Sequence, residues 1–318
     1  MVLTPMAAFT QLLAVLAALA LAPLFLGWVN QCRAWLQNRR PPSIWVPYRG
    51  LVKLFQKDAV LAETASPLFR AAPYLVFSAM VTAAAIVPSA GTRLPFGAAA
   101  DAIALVGLFA TARVFLSLAA MDIGTAFGTL GARREMMVGF LAEPALLMVI
   151  FVASLISSTT ALPGISEHLA SQGLTLSPSL AFSAVAFTMV LLAENARIPV
   201  DNPATHLELT MIHEAMLLEY SARHLALMEW ASALKLFNYA CIGFALFVPW
   251  GAAMSQAGPA ALAAALPLLV LKLAAAGVGL ALIETVSAKL RVFRAPEFLA
   301  TAFLFAVLGL LVHLLLGA

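Results

Sequence analysis

The sequence predicts an all-α integral membrane protein: eight transmembrane helices plus cytoplasmic amphipathic helices. Three observations carry this. The 318 residues are 63% hydrophobic and only 10% charged, with a mean hydropathy of +0.98, where a soluble domain carries roughly 25% charged residues. Eight apolar runs are each long enough to cross a hydrocarbon core of about 30 Å. The runs are continuous, whereas a membrane β-barrel would alternate over segments of about ten residues.

The spans fall near 7–29, 71–89, 98–120, 136–156, 180–197, 234–253, 259–285 and 297–317, in a single membrane domain covering 1–318. The first has no basic stretch before it and closes on Gly27-Trp28 rather than on a small-residue cleavage site. It is therefore read as a retained span, not a signal peptide. Lys and Arg set the orientation. Arg33, Arg39, Arg40, Arg49, Lys53, Lys57 and Arg70 lie between the first two spans, and Arg133 and Arg134 between the third and fourth. Arg197, Arg223 and Lys235 follow the fifth, and Lys289, Arg291 and Arg294 the seventh; the alternate connections hold only Arg93. The basic side is predicted to be cytoplasmic, with both termini outside. The net charge of +3 follows this topology and does not point to nucleic acid.

The outer connections, "PSAGTRLPF" and "SSTTALPGISEHLASQGLTLSPS", are turn-rich and are expected to be solvated loops. The cytoplasmic "VPYRGLVKLFQKDAVLAE" interleaves Leu51, Val52, Leu54 and Phe55 with Arg49, Lys53, Lys57 and Asp58, as an interfacial helix does. It serves either as a lipid-surface anchor or as a docking element. No repeat suggests an inverted-repeat transporter.

Cys32 and Cys241 stand far apart, with no CxxC and no His/Cys cluster. An iron–sulfur cluster needs four such ligands, so no metal centre is expected on this chain. Phosphate-loop and dinucleotide motifs are also missing from the sequence. Redox or nucleotide chemistry is expected on partner chains.

Charges inside spans are costly and mark function by default. Asp101 near one end of its span can snorkel. Arg113, deeper in "LFATARVFLSL", needs a carboxylate or carbonyl partner. Glu143 precedes Pro144, which removes a helix hydrogen bond. That makes Glu143 a candidate proton site, with a structural pair to Arg113 as the alternative. Lys272 in "LPLLVLKLAAAGVG" must find its partner on another helix and can relay protons. Glu284 is expected to pair with Lys289, Arg291 or Arg294.

The densest cluster is "LLAENARIPVDNPATHLELTMIHE", which brings Glu194, Arg197, Asp201, His206, Glu208, His213 and Glu214 to the end of an apolar span. Pro199 and Pro203 break the helix, and Asn202 or Thr205 can cap a second one over about 204–222. On it Glu208 and Glu219 share a face, and Arg223 can pair with Glu219. "HEAML" lacks the second histidine of a zinc-protease motif. Met211, Ile212, Met216, Leu217 and Leu218 make the stretch too apolar for free solution. Its carboxylates are expected in a wet, protein-lined cavity where they share protons.

Ala193-Glu194, Arg197, Pro199, Asp201, Glu208-Leu209 and Glu219-Tyr220-Ser221 together resemble the signature of the complex I subunit 1 family. "NRRPPSIWVPYRGLVKLFQKD", "LGARREMMVGFLAEP" and "IETVSAKLRVFRAPEFL" extend the resemblance over nearly the whole chain. Ala204 and His206 stand where the family tends to be acidic, which resembles its energy-converting [NiFe] hydrogenase branch, of the hydrogenase-4 and formate hydrogenlyase type.

The resemblance implies a non-catalytic coupling subunit of the bacterial cytoplasmic (inner) membrane. It would join a nickel–iron large subunit and an iron–sulfur small subunit to antiporter-like membrane subunits. It carries the [NiFe] and Fe–S centres on those partners, and leaves quinone as a possible ligand in the quinone-reductase alternative. It implies a proton funnel of Glu194, Arg197, Asp201, Glu208 and Glu219, continued by Glu229, Glu143 and Lys272. Charged loops at Arg49, Lys53, Asp58, Arg133, Arg134, Glu284, Arg291 and Arg294 would dock the redox arm.

Overall fold

The computed structural model describes residues 5–99, 101–173, 177–201, 211–255, 258–290 and 294–316. Among them are twelve α-helices. Eight are long: α1 (Pro5–Leu36), α3 (Pro67–Ile86), α5 (Ala102–Asp122), α6 (Ala126–Ser157), α8 (Pro178–Glu194), α10 (Ala222–Phe247), α11 (Pro259–Val286) and α12 (Ala295–Leu316). Four are short: α2 (Val46–Phe55), α4 (Pro95–Ala99), α7 (Leu162–Ser171) and α9 (His213–Leu217). Seven of the long helices are long and apolar enough to cross a membrane, and α8, at 17 residues, is a shorter apolar helix. At 1.5 Å per residue α8 spans about 26 Å, just under the usual core thickness. The eight predicted spans are thus all present as helices.

Their ends differ from the prediction. Helix α10 begins at Ala222 rather than near 234, α6 at Ala126 rather than 136, and α1 continues to Leu36 rather than stopping at 29. Each added stretch carries charge: Arg223 and Glu229, Arg133 to Glu135, and Arg33. Hydropathy marks where a helix is greasy, not where its backbone bonding stops. The span predicted at 98–120 begins within α4, and α5 starts at Ala102, where Asp101 caps it by accepting from Ala104 N–H at 2.9 Å.

The packing order sets the site. Helix α12 lies on α8 and α6, α5 on α3 and α6, α10 on α3, α1 and α8, and α11 on α1. One hydrophobic core draws on all eight long helices, with Phe69, Phe109, Phe237 and Tyr239 among its largest buried side chains. Cys32 and Cys241 are buried and free.

The connections expected to be solvated loops are folded instead. Helix α7 buries Leu162, Ile165 and Leu169. Gly91 pairs with Ala253. Glu167 accepts from the Thr92 hydroxyl and, at 2.7 Å, from Ser255 N–H, tying three connections together. On the basic side a helix, α2, forms within the stretch expected to be amphipathic. It buries Leu51, exposes Arg49, Val52 and Lys53, and its Tyr48 hydroxyl donates to the Ala20 carbonyl of α1.

Candidate functional site: a buried carboxylate–guanidinium cluster

On α6, Glu135, Gly139 and Glu143 are spaced by four and lie one above another on one face. Arg113 of α5 lies along that face. Its Nη1 donates to Glu143 Oε1 at 2.6 Å, and its Nε stands 3.5 Å from Glu135 Oε1. Its Nη2 meets both oxygens of Glu194, the last residue of α8. Lys235 of α10 donates to Glu194 Oε2 at 2.9 Å. Four helices converge here, with Arg113 6% and Glu194 5% exposed and the Glu143 side chain 31% exposed. Three carboxylates face two cations, so the cluster has one negative charge in excess when every member is ionised.

The turn after α8 delivers the rest. Arg197 N–H bonds to Leu192 O at 2.8 Å and Ala196 N–H to Ala193 O at 3.3 Å, with Ala196 left-handed at φ 50°. This is a Schellman motif with alanine where glycine is usual. It swings Arg197 back beneath the bundle, where Nη1 donates to Glu284 Oε1 at 3.1 Å. Glu284 Oε2 also lies 3.5 Å from Arg33 of α1. Of the expected partners of Glu284, Lys289 instead meets Asp201 at 3.6 Å and Arg294 is exposed, while Arg291 lies outside the described residues. The helix-end turn brings Arg197 inward and so decides the pairing.

Asp201 Oδ2 accepts from the N–H groups of Ile212 and His213, both at 3.3 Å, and so fixes the start of α9. That short helix sits close to α6 because residue 131 is glycine. A Cβ there would stand 2.8 Å from Ile212 O and 2.9 Å from the Ala215 side chain. His213, with Arg113, Glu135 and Lys235, lines a cavity of about 40 Å³. A cavity needs roughly 10–15 Å³ to admit a water, so this one has room for about three. Burial, together with Lys235, holds the His213 imidazole below its usual value, against Glu135 and Asp201, which push it up. It is therefore neutral near pH 7, with one nitrogen to accept a proton and one to donate.

The structure thus brings together Glu194, Glu143, Arg197 and Asp201 of the predicted residues, with Glu284 beside Arg197. It shows the Glu143–Arg113 pair that was the alternative reading of Glu143, and adds Glu135, Lys235, His213 and Arg33. Others stand apart. The helix expected over 204–222 is confined, among the described residues, to α9, so Glu219 sits exposed in a turn. Its expected helical pairing with Arg223 is lost with the helix. Glu229 is on the exposed side of α10, and Lys272 donates to the Val248 carbonyl at 2.6 Å. Glu208, His206 and Ala204 lie outside the described residues. Of the basic-side charges, Arg134 donates to Met211 O at 2.8 Å, while Arg49, Lys53, Asp58 and Arg133 are exposed.

Glu135 is not among the predicted residues. It sits in the basic "ARREMM", but its spacing of four to Gly139 and eight to Glu143 marks it.

Comparison with known proteins agrees with this architecture. The chain is 31% identical over 304 residues to formate hydrogenlyase subunit 4 of Escherichia coli K12, covering 96% of this chain and 98% of that protein. It is 37% identical over 236 residues to hydrogenase-4 component C of the same organism, covering 74% and 73%. Its fold matches a chain of the membrane-bound sulfane sulfur reductase, an archaeal respiratory membrane complex, with a TM-score of 0.81 over 95% and 98% of the two chains at 19% identity. Residues 10–315 match the family described as NADH dehydrogenase. The chain therefore belongs to the NADH dehydrogenase family, of the subunit 1 type, and is a complex I-like membrane subunit.

Proposed function

We propose that this chain is the membrane-anchoring and proton-coupling subunit of a complex I-like energy-converting [NiFe] hydrogenase. It links a nickel–iron large subunit and an iron–sulfur small subunit to antiporter-like membrane subunits. The [NiFe] and Fe–S centres belong to those partners. The names of the two curated relatives favour this reading over a quinone reductase, as do Ala204 and His206 at positions where the resembled family is acidic.

One observation carries the coupling role. The Glu194–Arg113–Glu143–Glu135–Lys235 cluster has one more carboxylate than cations and borders a cavity with room for water. A proton arriving from the basic side passes Asp201 and neutral His213, enters the cavity water, and is held among the three carboxylates. A change of charge in the redox arm shifts which carboxylate holds it, and the proton leaves toward the membrane partners. The distribution of Lys and Arg supports placing the basic side in the cytoplasm of a bacterial inner membrane, with both termini outside.

The test uses the intact complex. Glu194→Gln and Asp201→Asn should each lower coupled turnover about tenfold or more while the subunits still copurify. Wild-type turnover with full ion-gradient dependence in either variant would sink the assignment. Inhibition by quinone analogues would move the chain to the quinone-reductase class.

A further inference from the structure

Lys272 is the fourteenth of the 28 residues of α11. At 1.5 Å per residue its Cα is about 20 Å from either helix end, the middle of a core about 30 Å thick. Its ammonium has three donors. One reaches Val248 O at 2.6 Å, and Nζ stands 5.8 Å from the centroid of the Phe244 ring. Among the described residues no carboxylate pairs with it. The side chain is half-exposed.

Beside it, Leu271, Ala275, Val278 and Leu282 form an exposed stripe at helical spacing, with Leu271 63% and Leu282 52% exposed. Lys272 and Gly279 share the flank of that stripe. A Cβ added at Gly279 would meet nothing within 4 Å, so the flank is open. A charged group at this depth is costly unless it pairs or faces water.

We infer that this face of α11 is covered by a transmembrane helix of a partner subunit, which presents an aspartate or glutamate at mid-depth to Lys272. The carboxylate answers the unpaired charge, and the small Gly279 on the open flank admits a helix at close approach. A lipid chain in its place would leave two N–H donors facing hydrocarbon. The inference rests on the reading of the chain as a subunit of a membrane complex. It does not rest on the Glu194 cluster.

A photocrosslinking residue at Leu271, introduced in the intact complex, should capture one membrane polypeptide of that complex, through a span that carries a mid-depth acidic residue. Lys272→Glu should lower recovery of that polypeptide fivefold or more. Exchanging the partner's acidic residue for lysine in the Lys272→Glu background should restore recovery, which separates a broken pair from a misfolded chain. Adducts to lipid only, a captured span without an acidic residue, undiminished recovery in Lys272→Glu, or no restoration by the exchange would each overturn the inference. The readout is assembly, so failure of the Glu194→Gln turnover test leaves it standing, and the reverse holds.

Discussion

The side chain of Arg113 lies where a side chain at position 139 would stand: a Cβ built on Gly139 comes within 2.7 Å of both Cδ and Cζ of Arg113. The two residues belong to different helices, and the absence of one side chain makes room for the other. Glycine in a helix interior costs about 0.5–1 kcal/mol relative to alanine. Here that cost secures a guanidinium lying between Glu135 and Glu143 and reaching Glu194.

Gly139→Ala should therefore act as a variant of Arg113 without touching it. Alanine would favour the helix locally, but the guanidinium must leave its site. Overpacking costs about 1–3 kcal/mol, and uncoupling a buried ion pair about 3–5 kcal/mol. The expected result is a lower thermal midpoint in detergent and coupled turnover reduced tenfold or more. A variant with raised stability and full turnover would show that Arg113 has another resting place.

Glu284 separates two arginines of unequal weight. Arg197 is 5% exposed and bonds Glu284 at 3.1 Å, while the Arg33 side chain is 21% exposed and 3.5 Å away. Arg197→Gln leaves a buried carboxylate poorly matched and should destabilise by about 3–5 kcal/mol. Arg33→Gln removes a partly solvated partner and should cost under about 1 kcal/mol. Thermal unfolding of the two variants in the same detergent checks the order. Equal losses would mean that the two arginines hold Glu284 with equal weight.

How much of this was legible follows the physics of each signal. The eight spans were visible because burial in lipid demands apolar runs. The start of α10 was not, because Arg223, His224 and Glu229 are polar yet helical. Glu194, Arg113 and Glu143 stood out as charges within apolar segments, and the structure joins all three. The pairing of Glu284 with Arg33 was hidden, because it depends on α11 packing against α1, which no local pattern encodes. In the sequence His213 is only one member of the charged cluster. Its place in the cavity comes from Asp201 anchoring α9 and from Gly131 letting that helix approach α6.

The far end of the molecule offers a pH-dependent test that leaves the cluster untouched. Burial pushes the Glu167 carboxyl up, but hydrogen bonds from Thr92 and Ser255 outweigh it and hold the group below the ordinary 4.5. A carboxyl depressed in the folded state contributes stability that is full above its unfolded value and is lost as pH falls through its folded value. The Glu167 contribution should therefore be constant from neutral pH down to about 5 and should fade below 4.5. Glu167→Gln keeps the shape and one acceptor but removes the charge. It should cost about 1–2 kcal/mol at pH 7, the range for hydrogen bonds to a half-exposed charged acceptor. The gap in thermal midpoint between wild type and variant should close as the pH is taken from 6 to below 4. A gap that stays constant over that range would mean that Glu167 holds the three connections by shape and neutral hydrogen bonding, with its charge irrelevant.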